Sequence, residues 1–262
     1  MNYLEAAILG LVQGLTEFLP VSSSGHLVIF KDLLGLQQPG VTLEVLLHVA
    51  TMFAVLYVFR NEFIKLFQFY KYKEQRRFLI LLLLGCIPTG IIGMLLSNYI
   101  ERLFQSTLAV GFMLLITGTI LKLITLLPAG RKNLDTMGPG DGLFIGLAQG
   151  IAVIPGISRS GLTIAGAIFK GLETEAAVRY SFMLSTPVIA GAALWEARHI
   201  ALGSIGRAML VNYTVGGVVA FLAGILAIKL FINLLKGNKF YYFSYYCWAL
   251  GILTIVITLI RG

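Results

Sequence analysis

An acid, a run of hydroxyls and an imidazole stand close together near the start of this chain. The segment Gly10 to Leu27 reads GLVQGLTEFLPVSSSGHL. Gln13 and Glu17 are four apart, so on a helix they share a face. Together they can hold a hydrated divalent cation, or the carboxylate can act as a base. Ser22, Ser23 and Ser24 follow Pro20, and His26 comes three residues after Ser23. A serine hydroxyl beside a carboxylate and a histidine can be a nucleophile. The competing reading is a neutral buried acid, with serines that only cap the next helix. An ionisable group in an apolar segment is costly unless paired, wetted or used, which favours catalysis.

The segment has an echo. Gly146 to Thr163 reads GLAQGIAVIPGISRSGLT. Laid over the first copy, Gly10 meets Gly146, Gln13 meets Gln149, Ser22 meets Ser158 and Ser24 meets Ser160. Glu17 faces Val153, His26 faces Leu162 and Ser23 faces Arg159. One copy carries the acid and the imidazole; the other carries a guanidinium. Gly156, Ser158, Arg159, Ser160 and Thr163 surround the start of a short helix. Exposed N–H groups there bind anions, and a guanidinium matches phosphate oxygens. Glu44 and His48, also four apart, and Gln149 are candidate supports for the site.

The rest of the chain must hold these groups at membrane depth. Of 262 residues, 58% are hydrophobic and 12% charged, and the mean hydropathy is +0.88. That composition reads as an all-α polytopic membrane protein. The net charge of +8 is explained by basic loops on anionic lipid, and no nucleic-acid partner is expected. Cys86 and Cys247 lie in apolar runs and suggest neither a disulfide framework nor a metal site. The N-terminus lacks a basic region, so no cleavable signal peptide is read.

Residues 3–19 and 24–35 are each too short for a span of roughly 20 residues. With a Pro/Ser/Gly bend between them they read as a re-entrant hairpin, which needs cover from protein or water. Spans come next at 43–60, 78–98 and 107–127, the second kinked at Pro88. The pattern then restarts with a hairpin at 140–154 and 160–171 and spans at 176–196, 209–231 and 241–260. The chain is therefore one integral membrane domain of two repeats, 1–130 and 131–262. Each is a re-entrant hairpin plus three crossings. Three is odd, so the second repeat is inverted, and the site is expected where the hairpins meet.

Loop charge sets the orientation. Arg60, Lys65, Lys71, Lys73, Arg76 and Arg77, with Arg131, Lys132, Lys236 and Lys239, fall on one side. Lys31, Arg102, Arg198, Arg207 and Arg261 fall on the other. The richer side is cytoplasmic, which places both termini and the mouth of the first hairpin outside.

The sequence resembles the undecaprenyl-diphosphatase, or bacitracin-resistance, family of bacteria over its whole length. The residues that carry the resemblance are Gln13 to Glu17 running on to Ser23 and His26, and Pro155 to Thr163. Many relatives have Glu where this chain has Gln13, which weakens any scheme making that residue an anionic ligand or a base. The resemblance implies hydrolysis of undecaprenyl diphosphate to the monophosphate and phosphate with a divalent cation, magnesium or calcium. That recycles the lipid carrier for cell-wall synthesis in the bacterial plasma membrane and confers bacitracin resistance. It implies roles for Glu17, Ser23, His26 and Arg159, with Ser158 and Ser160 around the phosphate. A homodimer is a further expectation.

The nucleophile stays open at this point between Ser23, His26 and a water activated by Glu17. Ser22 or Ser24 replaces Ser23 if the turn is rotated. Membrane phosphatases of the acid-phosphatase type need a second His paired with Asp after the Ser-Arg segment, and none comes after Arg159. The rival class is a lipid flippase or transporter, since inverted repeats with broken helices are typical of transporters. A pure transporter needs no nucleophile–acid pair, and only one repeat has Glu17, Ser23 and His26.

Overall fold

Pro20 stops the first helix before it can cross a bilayer. The residue before a proline is pushed out of the helical region, and Leu19 is extended (φ −70°, ψ 143°). In the computed structural model, which describes residues 1–36, 41–128, 130–197, 207–235 and 240–261, helix α1 spans Tyr3–Phe18. Asn2 caps it, accepting from the backbone of Leu4 and Glu5 while Glu5 reaches back. Helix α2 (Ser23–Leu33) returns after the bend, with the Ser22 hydroxyl accepting from the Gly25 amide. The second hairpin repeats the device. Helix α7 (Pro139–Ile151) starts with proline, whose missing N–H costs nothing there. Pro155 and Gly156 (φ +92°) form the turn, and Ser158 caps α8 (Arg159–Phe169).

The expected spans are all helices: α3 (Val41–Val58), α5 (Lys73–Phe104), α6 (Thr107–Ile124), α9 (Thr174–Ala197), α10 (Arg207–Leu235) and α11 (Phe240–Arg261). Five are long and apolar enough to cross a membrane alone. The sixth, α3, turns by 82° into the short helix α4 (Arg60–Leu66). The basic loop is thus partly helical, and α5 starts before the expected residue 78. It runs on through Pro88 as one helix. No strand occurs among the described residues. Arg198, Lys236 and Lys239, used for orientation, lie outside them.

The two hairpins enter from opposite ends. Asn212, near the start of α10, donates to the Met1 carbonyl (2.9 Å), and Arg261 lies 3.5 Å from Asp32 on α2. Both termini and both ends of the first hairpin therefore share one side. The ends of the second hairpin lie on the other. There Asp141 holds Lys132 (3.3 Å) and Lys170 (3.8 Å), and Arg77 donates to the carbonyls of Asp135 and Met137.

Each hairpin packs on the opposite half. Helix α1 lies on α10, and α7 lies on α5. The approach is backbone to backbone: a Cβ on Gly10 would collide with the Gly216 carbonyl, and one on Gly146 with the Gly85 carbonyl. Behind the first hairpin, Phe18 packs edge-on against Phe182 (5.4 Å between centroids), within a cluster that includes Phe59 and Phe231.

Candidate active site

Glu17 ends α1 facing the turn of the second hairpin and is 4% exposed. A carboxylate this deep must be compensated, and four groups converge on it. Arg159 Nη2 pairs with Oε1. Ser23 Oγ donates to Oε2 (2.5 Å), Gln13 Nε2 donates to the same oxygen (2.9 Å), and His48 Nε2 stands 3.6 Å from it. Three of these come from the first half, and the guanidinium comes from the second. The expected meeting of the hairpins is thus a meeting of Glu17 with Arg159.

The N-termini of α2 and α8 lie side by side. A Cβ on Gly25 would stand 3.1 Å from Gly156 Cα, and one on Gly161 3.3 Å from Pro20 Cβ. Ser160 Oγ donates to the Leu19 carbonyl (3.1 Å), tying the second turn to the first. Two positive dipole ends therefore lie together at one spot, with the Gly25 and Gly161 amides already taken by the capping hydroxyls of Ser22 and Ser158.

That spot is the floor of a cavity of about 1170 Å³. Glu17, Ser22, Ser23, Ser24, Ser158 and Arg159 line its polar floor, with His48, Thr89 and Gln149. Val188, Ile189, Ala192 and Ala193 of α9 form an apolar wall. Its rim includes Lys31, Asp32, Glu44, Glu101 and Gln105. These sit where α2 and α5 end and α3 begins, so the cavity opens on the side of the termini, away from the basic segment 60–77.

The three serines separate. Ser22 is spent on capping α2 and lies 3.3 Å from Ser24 Oγ, while Ser23 reaches Glu17. In the second turn Ser158 caps α8 and lies 3.2 Å from Ser160. Gly156 gives its carbonyl to Thr117 (2.8 Å). Thr163 bonds the Arg159 carbonyl (2.8 Å) and Ser181 Oγ (2.5 Å). Gly156, Ser160 and Thr163 do not line the cavity; they hold the turn that presents Arg159.

The two histidines stand differently from the arrangement their spacing suggested. His26 is 3% exposed and does not line the cavity. Its Nδ1 meets the Ser22 carbonyl (2.7 Å) and its Nε2 the Tyr246 hydroxyl (2.7 Å). His48 lines the cavity instead. Its Nδ1–H donates to the Glu44 carbonyl (2.7 Å), which turns Nε2 toward Glu17. Glu44 pairs with Lys31 at the rim. Gln149 donates to Thr89 Oγ1 (3.2 Å), and its own Oε1 is buried without a partner.

Tyr246 and Thr89 were not singled out by sequence, and Lys31 was read only for orientation. Thr89 comes directly after a mid-helix proline, and Tyr246 sits in the aromatic run FYYFSYYCW; neither context marks one residue.

The donor set can be tested against a divalent cation. Gln13 Oε1 is fully buried and has no partner, a neutral oxygen fitted to a cation or water. Glu17 supplies the charge. Among the described residues no three acidic, His or Cys side chains converge as a metal cage. Gln13 does not line the cavity, and so sparse a set fits only a cation that keeps most of its other oxygen ligands, such as one carried on a phosphate.

Fold and site together define a polytopic membrane protein in which two opposed re-entrant hairpins close a serine, a carboxylate and a guanidinium over one cavity. The chain belongs to the family described as bacitracin resistance protein BacA, whose model matches residues 6–253. It is 44% identical over 257 residues to the undecaprenyl-diphosphatase of Halothermothrix orenii, covering 98% of each chain. It is 41% identical over 259 residues to that of Carboxydothermus hydrogenoformans, again with 98% of each covered. With undecaprenyl-diphosphatase 4 of Bacillus thuringiensis it shares 38% over 259 residues, 99% of this chain and 98% of the relative.

Proposed function

We propose that this chain is a membrane phosphatase that hydrolyses undecaprenyl diphosphate to undecaprenyl phosphate and inorganic phosphate. In this reading it recycles the lipid carrier for cell-wall synthesis and confers bacitracin resistance. The observation that carries the reading is the constellation of Ser23, Glu17 and Arg159 where two helix N-termini meet. The names of the relatives point to the same reaction and do not favour the flippase.

The diphosphate competes with Glu17 for Arg159, since a guanidinium fork fits phosphate oxygens. Once Arg159 turns to the substrate, Glu17 loses its counter-charge and becomes a base. Ser23 Oγ attacks the terminal phosphorus while its proton passes to Glu17 Oε2. The bond from that phosphorus to the bridging oxygen breaks, and undecaprenyl phosphate leaves. Water then displaces Ser23 from phosphorus. Glu17 returns its proton to Ser23 Oγ, and both protons of the water leave with the phosphate. The amides of α2 and α8 hold the equatorial oxygens throughout. A divalent cation, magnesium or calcium, held by Glu17 and Gln13 Oε1, would neutralise charge on the diphosphate when bound.

The same reading includes a bacterial plasma membrane location with both termini and the cavity mouth extracytoplasmic. Support comes from the basic segment 60–77 lying opposite the mouth. Halves 1–130 and 131–262 are read as inverted repeats, and a homodimer belongs to the proposal, testable by sedimentation in detergent. The central experiment is phosphate release from a polyprenyl diphosphate by purified protein, with and without magnesium. Release that requires Ser23 and Arg159 is the expected result; no release under either condition overturns the reading.

A further inference from the structure

Ser22 is the only non-glycine residue with positive φ among the described residues (φ 68°, ψ 92°). That backbone region is unfavourable for a residue with a Cβ and persists only where its surroundings over-determine it. The strained residue immediately precedes Ser23. Its angles decide whether Ser23 begins α2 with its hydroxyl on Glu17 or turned away.

The surroundings are specific. The Ser22 carbonyl accepts twice from one residue, from the His26 amide (3.1 Å) and from His26 Nδ1 (2.7 Å). A carbonyl only accepts, so Nδ1 carries the proton and Nε2 presents a lone pair. The Tyr246 hydroxyl, 2.7 Å away on α11, can donate to it, and the two ring planes are parallel within 1°. The Ser22 carbonyl thus sets the tautomer, and Tyr246 satisfies the Nε2 lone pair of that tautomer and anchors the ring to α11. Cys247, the next residue on α11, approaches the Pro20 carbonyl (3.7 Å) on the other limb of the same bend.

We propose that Tyr246 and His26 form a brace that holds Ser22 in its strained conformation and so aims Ser23 at the phosphate, with His26 acting as a positioning residue. The brace rests on the phosphatase reading for its purpose, but its geometry can be tested without substrate. In ¹⁵N-histidine spectra of detergent-solubilised protein, His26 should appear as the Nδ1–H tautomer with Nε2 accepting a hydrogen bond. Tyr246→Phe should remove the hydrogen bond at Nε2 and leave the proton on Nδ1. A tautomer with the proton on Nε2 would overturn the proposal whatever the activity.

The kinetic arm uses phosphate release. Tyr246→Phe should lower kcat roughly 10-fold with KM within about twofold, the range seen when an orienting hydrogen bond is lost. His26→Gln keeps an N–H donor for Ser22 but cannot carry a proton, and should keep more activity than His26→Ala. Glycine adopts φ near +68° freely and costs a cap little. Ser22→Gly should therefore restore most of the turnover lost in Tyr246→Phe. Wild-type kcat in Tyr246→Phe, or a His26→Gln as inactive as His26→Ala, overturns the brace. If the tautomer is as stated and wild-type protein releases no phosphate, the phosphatase reading fails instead.

Discussion

Glu17 is held by two kinds of partner, which the proposed reaction treats differently. Gln13 and Ser23 are on the same hairpin and stay; Arg159 comes from the other half and can be drawn off by phosphate. Arg159→Lys keeps a charge but loses the fork. Steady-state assays should show kcat reduced at least roughly tenfold, a loss of more than about 1.4 kcal/mol in transition-state stabilisation. Near-normal turnover in Arg159→Ala at unchanged protein level would remove the guanidinium from the reaction. The serines give a sharper comparison. Ser23→Ala should fail to form a phosphoenzyme in quenched single-turnover experiments, while Ser24→Ala should still form it. A phosphoenzyme that survives Ser23→Ala puts the attack elsewhere. The sequence made Glu17, Ser23 and Arg159 visible because charge and hydroxyls stand out in an apolar chain. It could not rank the histidines. His26 shares a short segment with Ser23, yet its ring is claimed by Tyr246, 220 positions away. His48 reaches Glu17 only because α3 packs beside α1.

The broken helices were legible because proline comes together with turn and cap residues: Pro20 with the serine run whose Ser22 caps α2, and Pro155 with Gly156 and Ser158, which caps α8, whereas Pro88 stands alone and α5 runs through it. The bend after α3 was not legible, because residues 59–66 contain no Pro or Gly to announce it. Packing partners were equally hidden. Gly10 and Gly146 are repeat-equivalent in sequence, and each turns out to be a point where one backbone rests on another. Gly10→Ala and Gly146→Ala should each destabilise the protein by about 1–3 kcal/mol, the usual cost of overpacking. Thermal midpoints in detergent would register this as a clear drop. Gly93→Ala, where an added Cβ meets nothing within 4 Å, is the control and should leave the midpoint unchanged or raise it.

For the molecule as a whole, the ends of the chain and the cavity mouth share one side, and the basic segment 60–77 occupies the other. Tags at both termini should react with an impermeant label in intact cells, and a cysteine placed at Lys71 should react only after lysis. The opposite pattern would invert the protein and put the mouth in the cytoplasm. The crossed packing of hairpins and halves also has a consequence for synthesis. Helix α1, carrying Gln13 and Glu17, leaves the ribosome well before α10, the helix it packs on most extensively. Until residues 207–235 emerge, α1 lacks that packing surface, and until α8 emerges Glu17 has no guanidinium. A nascent chain truncated before α10 should therefore be handled as unfinished by the insertion and quality-control machinery, however complete its first half. An early segment is thus sealed late, so completion of the surroundings of Glu17 reports that the second half has arrived.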